Sequence, residues 1–150
     1  MTAEDNKIIF RRFVEEVINP GKLDRIDELV DPHFVDHYTP VPERASGIEG
    51  LKQGFVALRA SFPDLRLSIE DMLSEGDKVS FRVMLHGTHR GNFAGILPTG
   101  KAVAWPALGI LRILDGKIRE RWLQSDVMRL TQQLGAVASV EPPAGSSEGA

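Results

Sequence analysis

Ile8, Ile9, Phe13, Val17 and Ile18 recur at spacings of three and four, with Lys7, Arg11, Arg12, Glu15 and Glu16 between them. That pattern predicts an amphipathic first helix. Thr2 or Asp5 is placed to cap its start, and Asn19-Pro20-Gly21 stops it, because proline cannot continue a helix and glycine accepts the turn. Leu23, Ile26, Leu29 and Val30 fall on one stripe of a short second helix that ends at Asp31-Pro32. His33 to Tyr38 read as a short strand or extended piece, and residues 39–47, with two prolines, as a loop. Leu51, Phe55, Leu58 and Phe62 give a third helix over 50–62, closed by Pro63-Asp64.

The period then changes to two. Leu65, Leu67 and Ile69 alternate with Arg66, Ser68 and Glu70, and Val79, Phe81, Val83 and Leu85 alternate with Ser80, Arg82, Met84 and His86. Glu75-Gly76-Asp77 and Asp115-Gly116 are hairpin signals. Residues 87–100 carry four glycines and a proline and form a loop. Residues 101–114 make a long apolar strand that Pro106 and Gly109 are expected to bend or bulge. Residues 117–126 form the last strand, and Leu130 and Leu134 mark a short closing helix that ends at Gly135. Helices first and hairpins afterwards indicate an α+β fold, a curved antiparallel sheet wrapped on three N-terminal helices as a cone.

Composition narrows the field. Hydrophobic residues make up 42% and charged residues 26% of 150 residues, which suits one globular domain over 1–138. The end, EPPAGSSEGA, is polar and of low complexity, so residues 139–150 are expected to be a disordered tail. With 18 Lys and Arg against 21 Asp and Glu, a nucleic-acid partner is not expected. The chain has no cysteine, so disulfides, thiolate metal sites and a cysteine nucleophile are excluded. No apolar run approaches the roughly 20 residues of a membrane span, and the first residues do not read as a signal peptide, so a cytoplasmic protein is expected.

Several short motifs, in order, resemble the SnoaL-like polyketide cyclase and ester cyclase family, of the nuclear transport factor 2-like superfamily. They run from Arg12-Phe13-Val14-Glu15-Glu16 through Val35-Asp36-His37, Phe62-Pro63-Asp64-Leu65, Gly87-Thr88-His89-Arg90-Gly91 and Pro98-Thr99-Gly100-Lys101. Asp115-Gly116-Lys117-Ile118, Glu120-Arg121-Trp122, Asp126 and Gln133-Leu134-Gly135 complete the set. The resemblance implies a cone with a deep hydrophobic pocket between helices and sheet, and a small hydrophobic ligand. Aldol-type cyclases of the family carry an acid/base aspartate in the last strand and a histidine on the strand before it. Aligned on Asp115-Gly116-Lys117-Ile118 and Gln133-Leu134-Gly135, these positions fall on Leu123 and Gly109, so the family's fold transfers without its aldol pair.

Other residues then become the candidates. His37, beside Asp36 and Tyr38, would polarise a carbonyl or move a proton at the pocket mouth, or else be a half-buried histidine bonded to a loop. Asp126 is a general base if an apolar cone desolvates it, or the N-cap of the last helix, a role Ser125 would also fill. His89 in the glycine-rich loop would contact ligand or solvent. Trp105 and Trp122, on neighbouring strands, line an aromatic cavity or are core or interface; pairing about Asp115-Gly116 sets Trp122 near Gly109, which leaves room for a ring. Phe13, Phe34 and Tyr38 are further substrate-binding candidates.

Glu70 and Asp71, being neighbours, are expected on opposite faces, and Arg119, Glu120 and Arg121 on an exposed strand edge or interface. His86 and His89 also face apart, and no metal or organic cofactor is expected. The leading reading is a cofactor-independent enzyme abstracting a proton beside a carbonyl, through Asp126 assisted by His37. The alternatives are a non-catalytic binder of an apolar molecule and an epoxide hydrolase or isomerase using Arg82 and Asp126. Apolar residues on both faces of the strands predict a homodimer through the outer face of the sheet.

Overall fold

The computed structural model describes residues 2–38 and 45–136; the expected tail and most of the proline loop lie outside them. Helix α1 spans Ala3–Arg12 and opens with a reciprocal cap: Thr2 Oγ1 accepts from the Asp5 N–H and the Asp5 carboxylate accepts from the Thr2 N–H. It runs into a wide π-helical turn over Phe13–Ile18, in which the Asn19 N–H reaches back to Val14 O at 2.9 Å. The wider turn buries Phe13, Val14, Val17 and Ile18 together. A 3₁₀ turn (Leu23–Arg25) leads into the single turn α2, Ile26–Leu29. The chain is already extended at Val30, so the strand β1, Val30–Asp36, starts three residues earlier than its polar pattern suggests and takes Asp31-Pro32 with it.

Helix α3 follows over Gly47–Ser61, then β2 (Arg66–Glu75), β3 (Lys78–Thr88), β4 (Ala102–Leu114), β5 (Lys117–Ser125) and α4 (Val127–Gln133). The sheet order is β1-β5-β4-β3-β2. All pairings are antiparallel except β1 with β5, so the sheet is antiparallel with one parallel edge. The helices cover one face, giving the expected α+β cone. Among the described residues no helix is long and apolar enough to cross a membrane.

Side chains alternate across the sheet with little exception. Val79, Phe81, Val83 and Leu85 of β3 and Val103, Trp105, Ala107, Leu111 and Ile113 of β4 are buried against the helices. Pro106 and Gly109 do not interrupt the ladder: they pair directly with Met84 and Phe81. The register shifts between antiparallel strands lie instead between Ile69 and Asp71 and between Arg112 and Ile113. The first brings Glu70 onto the side of Ser68 and Asp71 onto Arg82, so these two acids share the outer face rather than dividing between faces. The second moves the β4–β5 pairing by one residue, so that Trp122 faces Ile110 and Leu123 faces Gly109.

Gly109 is required by its neighbours. A Cβ there would stand 2.5 Å from Phe81 Cζ and 2.6 Å from Trp122 O, one a packed ring and the other backbone. Phe81 is itself stacked on Phe10 at 4.4 Å, which fixes the ring between α1 and the sheet. Gly109→Ala should therefore cost about 1–3 kcal/mol, the usual range for overpacking a core. Urea unfolding of the variant checks this; an unchanged midpoint would mean that Phe81 turns aside freely.

Candidate functional site

The inner face of the sheet is an aromatic wall. Phe13 meets Phe55 edge-on at 6.1 Å, and Phe62 packs on Trp105 at 5.2 Å and on Phe93 at 5.7 Å. Phe34 is buried in the same core. Trp105 is only 2% exposed, and its indole N–H donates to Ser125 Oγ at 3.2 Å. Within this wall Gly109 and Leu123, direct partners on the inner face, are only half-buried, although Ala107 and Leu111 on either side of Gly109 are buried. Leu123 packs against the core with part of its surface accessible, while the Phe81 ring fills the inward side of Gly109.

Next to it lies a charged pair that the sequence pattern hid. Arg121 sits two residues from Leu123 on β5 and shares its inner face. It donates from Nε to Asp36 Oδ1 at 3.1 Å and from Nη2 to Asp36 Oδ2 at 2.7 Å. The side chains are 15% and 9% exposed. Asp36 Oδ1 also accepts from the Tyr38 N–H, and the guanidinium lies 5.6 Å from the Tyr38 ring centre. The expectation of an exposed edge at 119–121 fails for Arg121 because β5 is not an edge: β1 pairs with it, setting Asp36 opposite Arg121. The signal for this pair was the alternation through Val35-Asp36-His37 against Glu120-Arg121-Trp122, readable only once the parallel register is known.

The same alternation sends the neighbouring residues outward. His37 is exposed on the outer face, stacked on Trp122 at 4.7 Å with 8° between the rings, and its Nε2 lies 3.1 Å from Glu120 Oε1. Glu120 Oε2 accepts from Arg112 at 3.1 Å, and Arg112 also pairs with Asp77 at 2.9 Å. His37 first, then Arg112, hold the Glu120 carboxyl below its ordinary range. Trp105 and Trp122 are thus on opposite faces, and the shifted register is the reason. Arg82, considered for a water-activating cluster, is also outside, paired with Asp71.

Asp126 is exposed and caps α4, its Oδ1 accepting from the Arg129 N–H at 3.0 Å; Ser125 serves Trp105 instead. The desolvation on which the base reading of Asp126 rested is not present at this exposed position. No hydrogen bond joins Asp126 to His37, and its Oδ2 has no partner among the described residues.

His89 follows the inner row of β3 and is fully buried beside Phe62, so it is not a solvent contact. The Thr99 N–H donates to Nδ1 at 3.1 Å, which puts the proton of the neutral ring on Nε2, a buried atom with no partner among the described residues. With His89 N–H to Lys101 O and Gly100 N–H to His89 O, the imidazole closes the neck of the glycine-rich loop. His86 faces the other way, onto Ser68. Among the described residues no three histidines or carboxylates gather to hold a metal ion.

Two open clefts lie away from Asp126, His37 and His89. One, of about 540 Å³, sits at the β2–β4 end between Arg66, His86, Thr88, Ala104 and Gln133. The other, of about 380 Å³, lies by Asn6, Gly76 and Asp77. Neither is lined by one of the residues considered for catalysis or substrate binding.

The family model for SnoaL-like polyketide cyclase matches residues 8–134. The chain belongs to the SnoaL-like polyketide cyclase family. It is similar to nogalonic acid methyl ester cyclase of Streptomyces nogalater, 29% identical over 118 residues, covering 78% of this chain and 88% of that protein. It is 30% identical to aklanonic acid methyl ester cyclase DnrD of Streptomyces peucetius over 134 residues, covering 85% and 88%. Among solved structures, TsrD from Streptomyces laurentii superposes with a TM-score of 0.81 at 26% identity, covering 91% of this chain and 99% of that one.

For a SnoaL-like chain, the positions implied for the aldol aspartate and histidine are occupied here by Leu123 and Gly109, which the structure sets face to face on the inner sheet. Neither side chain can exchange a proton.

The Glu120 carboxylate is favoured in the folded chain, so the stability it contributes is complete above the unfolded glutamate value of about 4.3. That contribution is lost as pH falls through the lower folded value. Glu120→Gln should lower the melting temperature at neutral pH and flatten its decline between about pH 5 and about pH 3. Parallel acid limbs in thermal melts of the two proteins would remove Glu120 from the account.

Proposed function

We propose that this SnoaL-like chain holds a flat, largely apolar carbonyl compound against the inner face of its sheet, without metal or organic cofactor. The carrying observation is the accessible apolar surface of Leu123, which packs against the same core that holds Phe13, Phe34 and Trp105. An apolar cleft with few polar groups suits such a ligand. The relatives named as methyl ester cyclases support a polyketide-like compound. Binding is the reading the geometry favours, because Asp126 is engaged as a cap and His37 lies on the outer face.

The second reading, proton abstraction beside the carbonyl by Asp126 with His37 assisting, draws on those cyclases and on the unshared Oδ2 of Asp126. It requires the end of β5 to move, or the ligand to reach the rim. A second copy of the chain covers the outer face, where Leu73, Leu108 and Ile110 are 72%, 57% and 39% exposed.

Nogalonic acid methyl ester should quench the tryptophan emission of the wild type. Leu123→Trp, which replaces the accessible apolar surface proposed to meet the ligand, should weaken that binding about tenfold or more, a change of about 1.4 kcal/mol, while the fold is kept. No quenching by the ester, or full binding by the Trp variant, would place the ligand elsewhere.

On the second reading, Asp126→Asn keeps the cap and lowers turnover by roughly 10²–10⁴. Asp126→Ala costs about 1 kcal/mol of stability in either case. Turnover by the Asn variant at the wild-type rate leaves Asp126 as a cap alone. Sedimentation equilibrium should give twice the chain mass of 16.6 kDa, and a monomer across micromolar concentrations would sink the dimer.

A further inference from the structure

The outer face of the sheet carries a cleft whose shape follows from side-chain size. Arg66, His86 and Ala104 lie directly opposite one another on β2, β3 and β4, and Thr88 pairs with Ala102 in the next outward row. The two alanines are short, so the surface dips between the Arg66–His86 side and Gln133 of α4, leaving the open space of about 540 Å³. Gln133 stands at the opposite wall because its side-chain amide takes the place of a strand. It accepts from the Ala104 N–H at 3.0 Å and donates to Ala104 O at 2.7 Å.

The walls are held in one arrangement. As a carboxylate, Glu70 can only accept, so the Ser68 hydroxyl donates to its Oε1 at 3.4 Å and receives the His86 Nε2–H at 3.1 Å. That relay fixes the His86 ring beside Arg66. Both oxygens of Asp64, the one carboxylate lining the cleft among the described residues, accept from Thr88, from its N–H and its hydroxyl, each at 2.7 Å. Those two bonds, the backbone one first, hold the Asp64 carboxyl below its ordinary range.

Charge then decides what the cleft takes. The chain as a whole is acidic, with a formal net charge of -3. Around the cleft the balance reverses: Arg66 lines it, Arg90 acts on Asp64 from the glycine-rich loop, and Lys101 Nζ reaches the Gln133 carbonyl at 3.5 Å. These three cations face Asp64 alone, with Glu70 set back behind Ser68. Arg82 and Arg112 on the same face are paired with carboxylates, whereas Arg66 makes no ion pair among the described residues.

We propose that this cleft is a second ligand site, for a small flat compound bearing an oxyanion: its carboxylate or phosphate group meets the Arg66 guanidinium, and its body lies over Ala102 and Ala104. A guanidinium offers two parallel N–H donors, the geometry that both anions accept. The site is independent of the inner-face reading, from which the sheet separates it. It also stands clear of Leu108, four residues along β4 and so about 13 Å away at roughly 3.3 Å per residue.

The test titrates the full chain with benzoate, phenyl phosphate and the uncharged benzamide at constant sodium chloride, read by amide NMR. One or both anions should shift the amides of Gly87, Thr88 and Ala104 saturably, and the tighter of the two identifies the group as carboxylate or phosphate. Benzamide should leave these amides nearly unmoved. Arg66 is exposed, so Arg66→Gln should melt as the wild type does. It should weaken the better anion about fivefold, the upper scale of one exposed charge pair, and Arg66→Lys should recover part of that loss. Equal shifts by benzamide, anion shifts that R66Q leaves unchanged, or shifts that do not saturate and spread over other basic residues overturn the proposal. Saturable anion shifts centred on Leu123 overturn this site while upholding the inner face as a ligand site.

Discussion

The pairing of β5 is the constraint on which the site depends. Side chains alternate with a period of two, so one residue of slippage exchanges the inner and outer faces of a whole strand. The shift between Arg112 and Ile113 supplies that one residue after the tight turn at Asp115-Gly116, where both residues have positive φ. With it, Leu123 and Arg121 point inward and Trp122 and Glu120 outward. β1 then reads the same register from the other side, putting Asp36 with Arg121 and Val35 with Glu120. Gly109 secures the arrangement locally, because Phe81 and the Trp122 carbonyl already occupy the space of a side chain there.

Once the faces are set, the polar groups divide according to what burial demands. A carboxylate inside must be paired, and Asp36 is, by two guanidinium bonds and the Tyr38 N–H. Outside, charges need no such partner, yet Asp77, Arg112, Glu120 and His37 still form a chain that ends in the stacked Trp122 ring. That chain crosses the part of the outer face proposed to meet a second copy, where stacked rings and apolar Leu108 and Ile110 lie side by side. One dipeptide, Asp36-His37, serves both systems because its two side chains leave the strand in opposite directions.

Local pattern carried the elements well. The helix of Ile9 and Phe13, the helix of Leu51 and Phe55, both hairpin turns and the strict alternation of β3 were all legible, since each depends on neighbours within a turn or two. The Asp126 cap was legible as one of two readings. The partner of Asp36 was not, because a parallel pairing between residues some 85 apart leaves no local trace. The placing of Trp122 failed for a related reason: a bulge depends on packing across strands, and a residue count from the turn misses it by one. Pro106 and Gly109 misled in the other direction. Their residue types suggested a broken ladder, but a proline at a position where its missing N–H is tolerated, and a glycine under a ring, both fit a regular strand.

These placements explain why the family's motifs carry fold more firmly than chemistry. Asp126 starts a helix, Gly109 admits Phe81, His89 ties the neck of a loop through Thr99, and Trp122 supports His37. Each would be needed whatever the cone contained. Position 123 on the inner face has none of these roles, and there this chain has leucine where the resemblance implies an aspartate, with Arg121 two residues away. The carboxylate on that face, Asp36, is held by Arg121 through two hydrogen bonds, whereas Asp126, at the start of the last helix, shares only one of its oxygens among the described residues.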